Sequence, residues 1–240
     1  MFEKEAVERV SGSWERAEYA NKCMREIETR MASSINLNGQ GKITPKTVFN
    51  IRAFIQSCAY RIHTLSNGST SMWNNGNAIS SITLSRAVLE TVVTFYDFYH
   101  NLSQLEAKMD RAGIKELVLK RMNAIRIEEW VKQFEEYKSV NVITMIGRMN
   151  KEYPGISDNY EKLSEFSHPN CLGTLMAFGK LDTNNGLWSF DRNNQNSEKT
   201  FDVVYSGLHT IGFFIISLNE LENMMPRISE IFNPDHNQRI

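Results

Sequence analysis

Tyr160, Ser164 and His168 recur at every fourth position of the stretch YEKLSEFSHPN. On a helix that spacing puts the three side chains on one face as a polar column. An imidazole at the end of such a column can take or give a proton near neutral pH. A second pair, Arg86 and Glu90 in SRAVLET, is also spaced by four. Its guanidinium can hold a phosphate or carboxylate in a two-point grip, with Glu90 orienting it. The catalytic candidates are therefore His168, Arg86, Tyr160 and Ser164. Glu90, Lys162 and Asn170 are the binding candidates.

The same residues also have a structural reading. A histidine at a helix end complements the helix dipole and its free carbonyls. An Arg–Glu pair on a central helix can be a buried ion pair, with Tyr160 or Ser164 as hydrogen-bond partner. A serine hydrolase built on Ser164 and His168 is the weaker chemistry, because one helix supplies neither a third group nor an oxyanion hole.

Helices must position these groups. Ser157 or Asp158 is placed to cap the helix of the column, and Pro169 to end it. A short helix over 139–152 precedes it and stops at Tyr153-Pro154-Gly155. Arg86 and Glu90 fall on a helix over 78–101 whose apolar residues cover a broad arc, which places it centrally.

Around these, helical periodicity covers 2–33. It resumes after Thr44-Pro45, an N-cap followed by proline in the first turn, and runs to Leu65. Two helices fit between 103 and 138 with a break near Gly113, and a last helix covers 198–231, kinked or ended by Pro226. Residues 36–42 and 66–77 read as polar loops, the second with Met72-Trp73 as its apolar anchor. Asn185-Gly186 between apolar runs predicts a β-hairpin over 172–191, and residues 232–240 a flexible tail. The fold expected is all-α: a multi-helix bundle with one small β-hairpin insertion, in a single domain over 1–240.

Composition narrows the function. Lys and Arg total 27 against 28 Asp and Glu, which argues against a surface that holds nucleic acid by charge alone, though not against a local groove. Cys23, Cys58 and Cys171 are odd in number and form no CxxC, so reduced thiols are expected and a zinc site is not. Phosphate-loop, dinucleotide, HExxH and GxSxG signatures are absent, and the five histidines form no pair at helical spacing. The run Val203–Leu218 is too short to span a bilayer, and the first residues lack the apolar core of a signal peptide. The expectation is a cytoplasmic protein with no cofactor, no metal and no membrane partner.

SRAVLET followed by YEKLSEFSHPN resembles a widespread group of bacterial helical proteins. They carry Arg-x-x-x-Glu in a central helix and Tyr…Ser…His-Pro or His-Gly downstream. The matching positions are Arg86, Glu90, Tyr160, Ser164, His168 and Pro169, and the similarity covers roughly residues 78 to 175. The group is itself similar to the HEPN superfamily, whose members are helical bundles, often dimeric. Many are metal-independent ribonucleases of toxin or phage-defence systems. The resemblance implies a bacterial protein directed at RNA or a nucleotide, acting as a homodimer. The chain departs from the superfamily's arginine–histidine motif, since Glu161, Lys162 and Leu163 hold the positions where the arginine would precede His168. Lys162, or Arg86 from its own helix, would have to supply that charge. The alternative is a non-catalytic helical module for interaction or dimerisation, meeting its partner through the seam of residues 48–65 or the hairpin edge.

Overall fold

The computed structural model describes residues 1–36 and 44–233. Most of the expected loop 36–42, the tail from 234 on, and His236 lie outside them. The architecture is an all-α bundle with one two-stranded hairpin. Buried side chains from Phe2 to Phe232 join one core.

Two helices, α1 (Lys4–Glu8) and α2 (Trp14–Arg30), replace the one expected over 2–33. Ser11 adopts a positive φ of 61°, and Ser13 accepts the Arg16 N–H as the cap of α2. Three small turn-forming residues thus interrupt an apolar stripe that periodicity alone reads through.

The next helix, α3 (Lys46–Asn74), begins after Pro45, which holds the N-cap position without a side-chain cap, so Thr44 does not cap it. It also continues through most of the stretch expected as loop. Ser66 and Thr70 donate to the His63 and Ser66 carbonyls within the helix. Ser69 meets Ser81 at 3.1 Å and Ser85 at 2.8 Å across the crossing with α4 (Ala78–Ala107). Trp73 is fully buried, its ring 5.6 Å from that of Phe201. Small paired hydroxyls let the two helices approach closely, so polar composition here marks an interface. Only Asn75–Asn77 turns the chain, with Gly76 at φ 78°.

As expected, α4 is central. It packs on α3, α5 (Arg111–Met122), α7 (Val142–Glu152), α8 (Ile156–Ser167), α10 (Glu198–Leu208) and α11 (Ile211–Ile231). Between α4 and α5 the break falls at Lys108–Asp110, not at Gly113. Met109 takes φ 52°, and Asp110 accepts the Gly113 N–H inside the first turn of α5. A short α6 (Glu128–Gln133) lies between α5 and α7. The expected last helix divides at His209-Thr210 into α10 and α11, while Pro226 sits inside α11 without ending it. Phe232, expected in the tail, is packed into the core, with the Arg111 guanidinium 5.4 Å from its ring.

The hairpin is shorter than expected: β1 (Gly179–Asp182) and β2 (Leu187–Phe190), preceded by a single turn, α9 (Leu175–Phe178). Among the described residues, 78–107 and 198–231 are long and apolar enough to cross a membrane, but over half of each apolar window is buried inside the bundle. They are core helices.

Candidate functional site

The helix carrying the column, α8, is set by its own sequence. Tyr153-Pro154-Gly155 ends α7, and Gly155 turns the chain at φ 99°. Neither Ser157 nor Asp158 caps α8. Asn150 does so from α7, its Oδ1 accepting the Gly155 and Ser157 N–H groups at 3.0 and 3.1 Å. Ile156, Tyr160, Leu163 and Phe166 form the buried stripe, which anchors the helix against α4 and α10.

At the other end His168 leaves the helix at ψ 152°, the extended conformation that a following proline imposes. Its N–H still donates to the Ser164 carbonyl. Gly173 passes so close that a Cβ there would lie 2.0 Å from the His168 carbonyl oxygen. Asn170 holds this turn, its Oδ1 accepting the Gly173 N–H at 3.0 Å.

Five of the seven predicted residues meet one another or line one cleft. Arg86 Nη2 donates to the Tyr160 hydroxyl at 2.8 Å, and that hydroxyl donates to Glu90 Oε1 at 3.3 Å. Arg86 Nε lies 3.3 Å from the same carboxylate oxygen. The guanidinium also sits 5.1 Å from the Tyr160 ring centroid, within cation–π range. Three charged or polar groups from α4 and α8 thus close a triangle. Tyr160 connects it to a cleft of about 470 Å³ lined by Tyr160, Ser164, His168, Glu161, Glu165 and Ile143. The column faces this cleft as its spacing predicts, but Ser164 and His168 share no side-chain hydrogen bond, so they are not a nucleophile–base pair.

Two predicted residues lie elsewhere. Lys162 points to the other side of α8, into a cleft of about 730 Å³ that also contains Arg16, Lys199 and Asp202. Asn170 is occupied in its turn. Neither lines the His168 cleft.

Ser164 Oγ is buried without a hydrogen-bond partner among the described residues, and Arg86 Nε, also buried, has the Glu90 carboxylate 3.3 Å away as an ion-pair partner but no hydrogen bond. Such an unsatisfied group is costly, and an incoming ligand or water commonly satisfies it. His168 is exposed on the same cleft as Ser164. The cleft is therefore open to solvent at its imidazole.

A second polar cluster escaped the sequence reading. Asp97, fully buried about two turns beyond Glu90 on α4, accepts from Arg148 of α7 at 2.8 Å and from Arg121 of α5. Arg86, Glu90 and Asp97 lie at spacings of four and seven, so one face of α4 carries both clusters. An acid inside VVTFYDFYH was the available signal; only the fold shows which arginines reach it. Among the described residues no group of three or more His, Cys, Asp or Glu is placed to hold a metal ion. No protein-family model, curated protein or solved structure matches the chain.

Proposed function

We propose that this chain is a HEPN-like cytoplasmic protein that acts on RNA or a nucleotide, as part of a bacterial defence or toxin-type system. The observation that carries this reading is the buried Ser164 Oγ, without a hydrogen-bond partner among the described residues, on a cleft that also holds the exposed His168 and the Tyr160 that Arg86 contacts. A phosphate oxygen would satisfy such a donor.

In the chemistry proposed, the 2′-hydroxyl of the RNA attacks the adjacent phosphorus and His168 takes its proton. The bond from phosphorus to the 5′-oxygen breaks, and that oxygen takes a proton from solvent. The products are a 2′,3′-cyclic phosphate and a free 5′-hydroxyl. Arg86, steadied by Glu90 and Tyr160, supplies positive charge behind the cleft. Glu161 and Glu165, which also line the cleft, repel a long polyanion, which favours a short single strand.

The second reading is a non-catalytic interaction module. What favours it is the closure of Arg86 on Glu90 and Tyr160, which a structural ion pair would also show. Purified protein incubated with total RNA in EDTA, beside His168→Ala, separates the two. Cleavage with cyclic phosphate ends, lost in the variant, supports the nuclease. Silence from both proteins transfers the weight to the interaction module, and cleavage by both removes His168 from the chemistry.

A further inference from the structure

Every residue of the two hairpin strands except Gly179 is exposed. The register pairs Leu181 with Trp188 and Gly179 with Phe190. Directly opposed residues share a face, and so do residues two apart along a strand. Leu181, Trp188 and Phe190 therefore lie on one face, 46%, 38% and 68% exposed, with the two rings stacked 6.4 Å apart. The other face carries Lys180, Asp182, Ser189 and Leu187. A lone two-stranded hairpin is marginal in water, and an open edge on it invites a further strand.

The ladder shows which edge is free. Asp191 N–H donates to the Phe178 carbonyl, so that pair is a hydrogen-bonded one. By alternation the Lys180–Ser189 and Asp182–Leu187 pairs are too. The N–H and C=O of Leu181 consequently point away from β2, toward the open edge of β1, a template for another strand.

The sequence of that edge is complementary to itself. Read antiparallel about Leu181, Lys180 meets Asp182, whose carboxylate also accepts the Asn184 and Asn185 N–H groups of its own turn, and Asp182 meets Lys180. The β2 edge, Leu-Trp-Ser-Phe, has no such match. We propose that β1 pairs with β1 of a second copy of this chain about a two-fold axis at Leu181. Each Leu181 exchanges two main-chain hydrogen bonds with its counterpart, and two Lys180–Asp182 contacts flank them. The four strands form one sheet in which both sets of Leu181, Trp188 and Phe190 fall on the same face. A net charge of −1 puts little repulsion between the copies. This surface is independent of the His168 cleft and of any activity there.

The test is sedimentation equilibrium of the full chain up to concentrations on the order of 100 µM, suited to a small interface. Wild type is expected to dimerise reversibly. Lys180→Glu sets carboxylate against carboxylate and Asp182→Lys sets ammonium against ammonium, so each variant alone is expected to be monomeric. An equimolar mixture of the two restores both opposite-charge contacts and is expected to dimerise. Leu181→Pro, which removes the outward N–H and no hydrogen bond of the β1–β2 ladder, is expected to be monomeric as well. A wild type that stays monomeric overturns the proposal. So does a dimer unaffected by Lys180→Glu and Leu181→Pro, or a mixture that fails to associate.

Discussion

Tyr160 holds a single proton between opposite charges, accepting from Arg86 and donating to Glu90. Removing the hydroxyl leaves both charged partners half-buried and short of a bond. Tyr160→Phe is expected to cost about 1.5–3 kcal/mol, read as a lower urea midpoint at unchanged slope. His168 is the opposite case. It is exposed and its side chain holds nothing in place, so His168→Ala is expected to move stability by no more than about 0.5 kcal/mol. If His168→Ala unfolds the protein, the residue is a structural cap, and loss of activity in that variant would carry no chemical meaning. Asp97 anchors two arginines from a fully buried position. Truncating it strands Arg121, itself nearly buried, and Asp97→Ala is expected to cost about 3–5 kcal/mol in the same titration.

Among the elements, the end of α3 and the junction of α10 with α4 are the most instructive. Trp73 terminates α3 inside the core, 5.6 Å from the Phe201 ring. Trp73→Ala is expected to cost about 3–5 kcal/mol, where a loop residue would cost little. Against α4, Gly207 leaves no room: a Cβ there would lie 2.7 Å from the Ser85 carbonyl oxygen, which is backbone and cannot swing aside. Ser85 in turn holds Ser69 of α3. This chain of small residues is how three helices converge, and it explains why polar composition over 66–74 misled the loop expectation. Serine and threonine are read as turn-formers when their partners are unknown; here the partners are one another.

For the molecule as a whole, pH acts through the half-buried imidazole at the α10–α11 junction. Burial lowers the pKa of His209, the Ser206 carbonyl opposes that by accepting its Nδ1–H, and Arg16 reinforces it. The unfolded chain, with an imidazole near its ordinary value of about 6.5, therefore binds more protons than the folded one as pH falls. The stability contribution is present above that value and is lost as pH drops through it toward the folded value. Urea midpoints at pH 7.5 and pH 5.5 should show a smaller acid-induced fall in His209→Gln than in wild type; an equal fall would place the acid sensitivity elsewhere.

The sequence by itself determined the helical class, the central place of α4 and the common face of Tyr160, Ser164 and His168. All three follow from periodicity within one segment, which local geometry enforces. It also located the hairpin, because Asn-Gly turn chemistry is local. Only the tertiary structure decided that Arg86 and Glu90 reach Tyr160, that Lys162 faces another cleft, and that Asn170 is spent on its own turn. Those facts depend on how α8 is rotated against α4, which the sum of buried contacts along both helices sets and no single segment encodes. The same holds for Asp97, whose partners come from helices 24 and 51 residues further along the chain.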